Sequence, residues 1–235
     1  MNFKKHIPNL ITLLNLFCGC IAVVYAFQKD FEMAFLFVCL GIFLDFFDGF
    51  FARLFKVSSP LGLQLDSLAD MVTSGVVPGT IMFFMLKSSS GMTETNLMPF
   101  LGFIITLGSC FRLANFNIDE RQTDSFIGLP TPANALFILS LPLILKYSDN
   151  IIALELLTNH AFLLLITLLS AYILNAEIPL FSLKIKKMNF ADNKLQIFFL
   201  LFSVLLIVLF QYLGMALSIL FYVLLSVLIN KFQKK

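Results

Sequence analysis

Apolar runs of about 20 residues, long enough to cross a bilayer as a helix, follow one another from one end of this chain to the other. Nothing else constrains the fold as much. A backbone in hydrocarbon must satisfy its own N–H and C=O groups, which points to a bundle of transmembrane helices. Of the 235 residues, 59% are hydrophobic and 13% charged. A soluble domain would be nearer to about a half and a quarter. The expectation is an all-α integral membrane protein with almost no soluble portion. Cys18, Cys20, Cys39 and Cys110 lie inside apolar runs without metal-ligand spacing, so they read as small core residues with no disulfide framework. The first run follows Lys4 and Lys5 as a signal peptide would, but it is too long and lacks a clean small-residue cleavage site. It is taken as the first span.

Turn residues and charges divide the chain into eight predicted helices, at about 8–28, 32–56, 62–86, 97–115, 132–147, 151–178, 195–210 and 213–231. Alternating sides from a cytoplasmic N-terminus leaves only Lys29, Lys87 and Lys146 of the 16 Lys and Arg on the outer side. That asymmetry matches the positive-inside rule and predicts a multi-pass protein of the cell (inner) membrane with both termini cytoplasmic. The last two spans carry almost no internal polar residue, so they read as scaffold. The expected division is a six-helix unit over 1–182 and two additional helices over 183–235.

Against this background, "LDFFDGFFAR" (Leu44 to Arg53) is costly. Asp45 and Asp48 are three apart and share a helix face, and on the next helix Asp66 and Asp70 are four apart and share another. Gly49, Ala52 and Gly62 lie on the same faces, and small residues let two helices approach closely. The hairpin is expected to bring four carboxylates together, with Arg53 at their cytoplasmic edge. Each aspartate at mid-bilayer depth costs roughly 2.5–3.5 kcal/mol. One arginine cannot neutralise four acids, whereas divalent cations can. All-oxygen ligands suit Mg²⁺, Mn²⁺ or Ca²⁺, and four carboxylates suffice for two ions, the arrangement that serves phosphoryl chemistry.

Read together, Asp45-x-x-Asp48-Gly49-x-x-Ala52-Arg53, eight residues, then Gly62-x-x-x-Asp66-x-x-x-Asp70 resembles the signature of the CDP-alcohol phosphatidyltransferases at all eight fixed positions. The resemblance implies a core of six helices that moves a phosphatidyl group from a CDP-linked lipid to an alcohol, releasing CMP. It implies that Asp45, Asp48, Asp66 and Asp70 hold the ions, with Asp70 also the general base for the acceptor hydroxyl. Gly49, Ala52 and Gly62 would leave room for the nucleotide and Arg53 would contact its phosphates. A homodimer is implied in the same way.

A second resemblance bears on the acceptor. "FRLANFNID" (Phe111 to Asp119) and "SFIGLPTPANA" (Ser125 to Ala135) resemble the phosphatidylserine synthase branch, as does the opening "IPNLITLLNLFCG". Asn115 stands where that branch more often has arginine. The implied partners are CDP-diacylglycerol, serine and membrane lipids, with no nucleic acid. Arg112, near the cytoplasmic end of its helix, could hold a serine carboxylate or a lipid phosphate, or anchor the topology. Asn115 and Asn117 could contact the acceptor or cap turns. Asn9, Thr12 and Asn15 recur at steps of three on the first helix. They could reach cytidine or its ribose, and Asn15, which lies deeper, could equally bond between helices. Asn175 and Glu177 are polar at cytoplasmic depth, and His160 reads as lying mid-span. Glycerol 3-phosphate or an inositol phosphate as acceptor would need more basic residues than Arg53, Lys56, Arg112 and Arg121 supply; an archaetidyl tail stays open. A divalent-cation transporter would need polar residues along the outer half-helices, where Val76-Val77 and Ile81 to Phe84 are apolar.

Overall fold

The structure is a computed structural model that describes residues 6–57, 59–89, 96–119, 127–181 and 193–233. Lys4, Lys5, Arg121, Lys184, Lys186, Lys187, Lys234 and Lys235, and residues 90–95, 120–126 and 182–192 of the expected loops, lie outside the described residues. Among those described there is no strand, only an isolated bridge between Ile127 and Pro179. The elements are α1 (Ile7–Phe27), α2 (Phe31–Phe55), α3 (Pro60–Asp70), a π-helical segment (Met71–Val76), α4 (Val77–Ser88), a 3₁₀ turn (Met98–Phe103), α5 (Ile104–Phe116), α6 (Thr131–Tyr147), α7 (Ile151–Thr158), α8 (His160–Asn175) and α9 (Lys194–Gln233). Five helices are long and apolar enough to cross a membrane, and α6 with α7 makes a sixth candidate, bent by 120°.

Local chemistry sets the first three boundaries. α1 stops where Lys29 turns left-handed at φ 60°. Asp30 then caps α2, its Oδ1 accepting from the Met33 N–H at 3.1 Å. α2 ends in a Schellman-type turn, with Lys56 at φ 54° and the Val57 N–H donating to the Ala52 carbonyl at 2.9 Å. Ser59 caps α3 by accepting from the Gly62 N–H at 3.0 Å, and Pro60 occupies its first position. The turn between the two aspartate helices is therefore short and defined at both ends.

The third span is the centre of the bundle. Of its apolar stretch 72% is buried, against 33% for α1 and 11% for α9. Ile81, Met82 and Leu86 of α4 pack with Ile105 of α5, Ile138 and Leu139 of α6 and Leu163 of α8, all fully buried. α1 and α2 close on each other through Ala22, Ala26, Ala34 and Val38, also fully buried. At the end remote from the aspartates, Lys146 pairs with Glu32 at 2.6 Å, Tyr147 donates to the same carboxylate, and Lys29 lies 6.0 Å from the Phe84 ring centroid.

Two expectations need correction. The helix predicted over 151–178 is two, because Asn159 leaves helical geometry and its Oδ1 caps α8 through the N–H groups of Ala161 (2.9 Å) and Phe162 (3.3 Å). His160 consequently opens α8 instead of lying mid-span. The break expected between 195–210 and 213–231 falls at Gln211 (φ 50°, ψ −121°). Phe199 and Phe221 stack 6.2 Å apart there, although a straight helix would separate them by about 33 Å. The two halves of α9 thus run antiparallel. The second half is tied to the segment that follows α8: Tyr222 donates to the Phe181 carbonyl at 3.0 Å and Asn230 to that of Pro179 at 2.5 Å.

Candidate active site

α1 crosses the hairpin formed by α2 and α3 and supplies it with hydrogen bonds. Oxygens of Asp45, Asp48 and Asp66 lie within 4.8 Å of one another. Asp70 stands one turn further along α3, outside that group. Thr12 Oγ1 donates to Asp48 Oδ2 at 2.5 Å, and Asn15 Nδ2 donates to Asp70 Oδ1 at 3.2 Å. Asp48 and Asp70 are buried, at 7% and 9% exposure. Two like charges about 4 Å apart repel by about 4 kcal/mol at an effective dielectric of about 20, and neutral hydrogen-bond donors do not remove that charge. Among the described residues no lysine or arginine pairs with any of the four acids. Arg53 is exposed. The donor set, three carboxylates converging from two helices, fits a hard divalent cation, and the cluster could bind one.

Beside the acids is a cavity of about 190 Å³, lined by Asn9, Thr12, Asp48, Gly49, Ala52, Gly62 and Asp66 among others. It brings together every residue expected at the nucleotide except Arg53. Gly49 is informative because nothing in the fold requires it. It sits inside α2 with ordinary helical dihedrals, and a Cβ built there meets no atom within 4 Å. A glycine inside a helix is less favourable than alanine by about 1 kcal/mol, so space for a ligand is a better reason for it than packing. Gly62 faces Asn9, whose Oδ1 would lie 3.2 Å from a Cβ at that position.

The residues expected at the acceptor are less closely gathered. Arg112 is 5% exposed, its guanidinium 5.3 Å from the Phe116 ring centroid and its buried Nε without a hydrogen-bond partner. Asn117 Nδ2 donates to Ser67 Oγ at 2.9 Å, which ties the end of α5 to the helix that carries Asp66 and Asp70. Asn115 is exposed, and its carbonyl accepts from the Asp119 N–H at 3.0 Å in the turn that ends α5. Asn175 is a bridge within the scaffold, donating to the carbonyls of Gly108 (2.9 Å) and Ala171 (3.1 Å).

Several contacts were not legible beforehand, although Thr73 and Ser74 continue the face of Asp66 and Asp70. Thr73 in the π-helical segment donates to Asn15 Oδ1 at 2.9 Å. Ser109 Oγ on α5 and Asn134 Nδ2 on α6 are buried without partners, as is Ser74 Oγ one turn beyond Asp70. A Cβ on Gly75 would lie 3.2 Å from Ser109 Cβ, so α5 packs directly on the π-helical segment. Gly128 in the second motif has φ 76°, and a Cβ there would lie 2.5 Å from the Leu174 carbonyl. Its N–H donates to the Ile178 carbonyl at 2.9 Å, which docks the motif on the end of α8.

Comparison with known proteins agrees with this geometry. A protein of Bacillus subtilis (strain 168) named CDP-diacylglycerol–serine O-phosphatidyltransferase is 39% identical over 132 residues, covering 54% of this chain and 70% of the relative. Proteins of the same name from Helicobacter pylori (strain J99) and Saccharomyces cerevisiae are 38% and 35% identical over 136 and 152 residues. Those matches cover 56% and 58% of this chain but only 54% and 53% of the relatives, so the chain spans about half the length of each. The sequence model of the CDP-alcohol phosphatidyltransferases matches residues 5–165, which takes in all four aspartates, the cavity and Arg112, and the chain belongs to that family.

Proposed function

We propose that the chain transfers the phosphatidyl group of CDP-diacylglycerol to L-serine, giving phosphatidylserine and CMP in phospholipid biosynthesis. The observation that carries this reading is a three-carboxylate cluster opening onto a cavity walled by Gly49, Ala52 and Gly62. Acids that converge without a cation among the described residues, next to space that packing does not need, suit a pyrophosphate bound with divalent ions. The names of the relatives supply serine and the CDP-lipid as the substrates.

Asp45, Asp48 and Asp66, joined by Asp70, would hold Mg²⁺ or Mn²⁺, two ions in the full set. When bound, such ions supply charge neutralisation for the pyrophosphate and the departing CMP. In the reaction the serine hydroxyl oxygen bonds to the phosphorus that carries diacylglycerol. The bond from that phosphorus to the CMP oxygen breaks, and the hydroxyl proton passes to Asp70. Asn9 and Thr12 line the nucleotide side, and Arg53 at the rim would reach the phosphates. The unpartnered Nε of Arg112 offers a buried donor for the serine carboxylate or a lipid phosphate, with Asn115 and Asn117 three and five residues further along the chain. Residues 1–182 would form the catalytic unit and 183–235 its two-helix addition, in a homodimer. The site would face the cytoplasm of the cell membrane, because alternation of the spans leaves only Lys29, Lys87 and Lys146 of the 16 Lys and Arg on the side opposite the aspartates.

The test is purified protein with CDP-diacylglycerol, Mn²⁺ and a panel of acceptors, following CMP and lipid product. Serine is expected to give phosphatidylserine, EDTA to stop turnover and Mn²⁺ or Mg²⁺ to restore it. Asp66→Asn should abolish CMP release while the protein still elutes as a folded species. Product from glycerol 3-phosphate but not serine would refute the acceptor, and turnover in EDTA would refute the metal reading.

A further inference from the structure

The hydrogen bond from Asn15 to Asp70 is the end of a longer arrangement. Asn15 and Thr73 are both fully buried, on α1 and in the π-helical segment. A side-chain amide has one donating and one accepting end, and its neighbours decide which way round it sits. Thr73 Oγ1 can give one proton. The nearest acceptor is Asn15 Oδ1 at 2.9 Å, ahead of the Ala69 carbonyl at 3.1 Å and the Asn15 carbonyl at 3.3 Å. With Oδ1 turned to Thr73, Nδ2 is the end that faces Asp70 Oδ1 at 3.2 Å.

Two glycines, one on α1 itself and one on α2, make room for this contact. A Cβ on Gly19 of α1 would lie 2.6 Å from Thr73 Oγ1 and 3.1 Å from Thr73 Cα. A Cβ on Gly41 of α2 would lie 2.7 Å from Asn15 Oδ1 and 2.8 Å from Thr73 Cγ2. Either methyl would push the threonine or the amide out of place. The π-helical segment that begins directly after Asp70 shifts the register of the third span by part of a turn, and such segments recur at functional sites.

An interhelical bond that only joined helices could end on any acceptor. This one ends on the carboxylate that the proposed reaction uses as its base, and it occupies one of that group's two oxygens. We infer that Asn15, held in one orientation by Thr73, is a positioning residue that engages Oδ1 of Asp70 and leaves Oδ2 to take the proton of the acceptor hydroxyl. The inference rests on the transferase reading and adds to it the groups that aim the base.

The test compares Thr73→Val, which keeps the shape and loses the donor, with Thr73→Ser, which keeps the donor, and adds Asn15→Asp, which loses the donor to Asp70. Steady-state kinetics for serine and for CDP-diacylglycerol are measured with Mn²⁺ affinity by electron paramagnetic resonance and thermal unfolding in detergent. Losing one hydrogen bond to a carboxylate should lower kcat of Thr73→Val roughly tenfold, with both KM values and Mn²⁺ affinity within about twofold of wild type. Thr73→Ser should recover most of that loss, and Asn15→Asp should lose at least as much as Thr73→Val. Wild-type kcat in Thr73→Val or Asn15→Asp, equal losses in Thr73→Val and Thr73→Ser, or a loss in Thr73→Val carried by KM or Mn²⁺ affinity would overturn the positioning role. If Thr73→Val does not fold, Asn15→Leu, which removes the donor without adding a charge beside the acids, decides the matter through the same split. A wild-type protein that transfers to no acceptor would sink the transferase reading itself, before any variant is compared.

Discussion

Replacing Gly49 by alanine should stabilise the protein and impair it together. The structure gives both signs. Gly49 lies inside α2 with no positive φ, and its added Cβ would meet nothing within 4 Å. Relief of the glycine penalty inside a helix is worth about 0.5–1 kcal/mol. The same methyl projects into the cavity of about 190 Å³ that Gly49 helps to line, beside Asp48 and opposite Gly62. A ligand that fills this space would have to shift or lose contacts, and overpacking by one methyl costs about 1–3 kcal/mol. At a factor of ten per about 1.4 kcal/mol, that is a fall in kcat/KM of about 5- to 150-fold, expected mainly in KM for the CDP-lipid. The assay pairs thermal unfolding in detergent with kinetics in which CDP-diacylglycerol and serine are varied separately. An unchanged KM for CDP-diacylglycerol would refute the assignment of the cavity to the nucleotide. A lowered unfolding temperature would refute the claim that the glycine is kept for clearance and not for packing.

Two further substitutions test the scaffold. Gly128→Ala should destabilise the protein by about 2 kcal/mol or more, because it combines a positive φ with a Cβ pressed on the Leu174 carbonyl; an unfolding temperature equal to wild type would contradict that. Tyr222→Phe removes the bond to the Phe181 carbonyl and should cost about 1 kcal/mol of stability with kcat and KM unchanged. A kinetic effect at Tyr222 would mean that the last helices are more than support.

What could be read from the sequence was whatever a local period or spacing determines. Charges and turn residues placed α1, α2 and the break at Lys29-Asp30 within a residue or two, because capping depends on neighbours in the chain. The aspartates were legible because acids at helical spacing have few other reasons to lie in an apolar run. The convergence of Asn9, Thr12, Gly49, Ala52 and Gly62 on one cavity followed from the same faces. The parts that escaped depend on how separate helices meet. Asn159 was read as the interior of a helix because its cap is a choice between two backbone paths, both compatible with apolar neighbours. The π-helical segment over Met71–Val76 has no period of its own in six residues. Its consequence, Thr73 reaching Asn15, requires glycines on α1 and α2 that sequence spacing alone would assign to general helix packing. Gly19 and Gly41 are 22 residues apart in the chain and flank one hydrogen bond in the fold. The acids of such a site can thus be found from sequence, while the residues that aim them come into view only once helix faces are matched across the bundle.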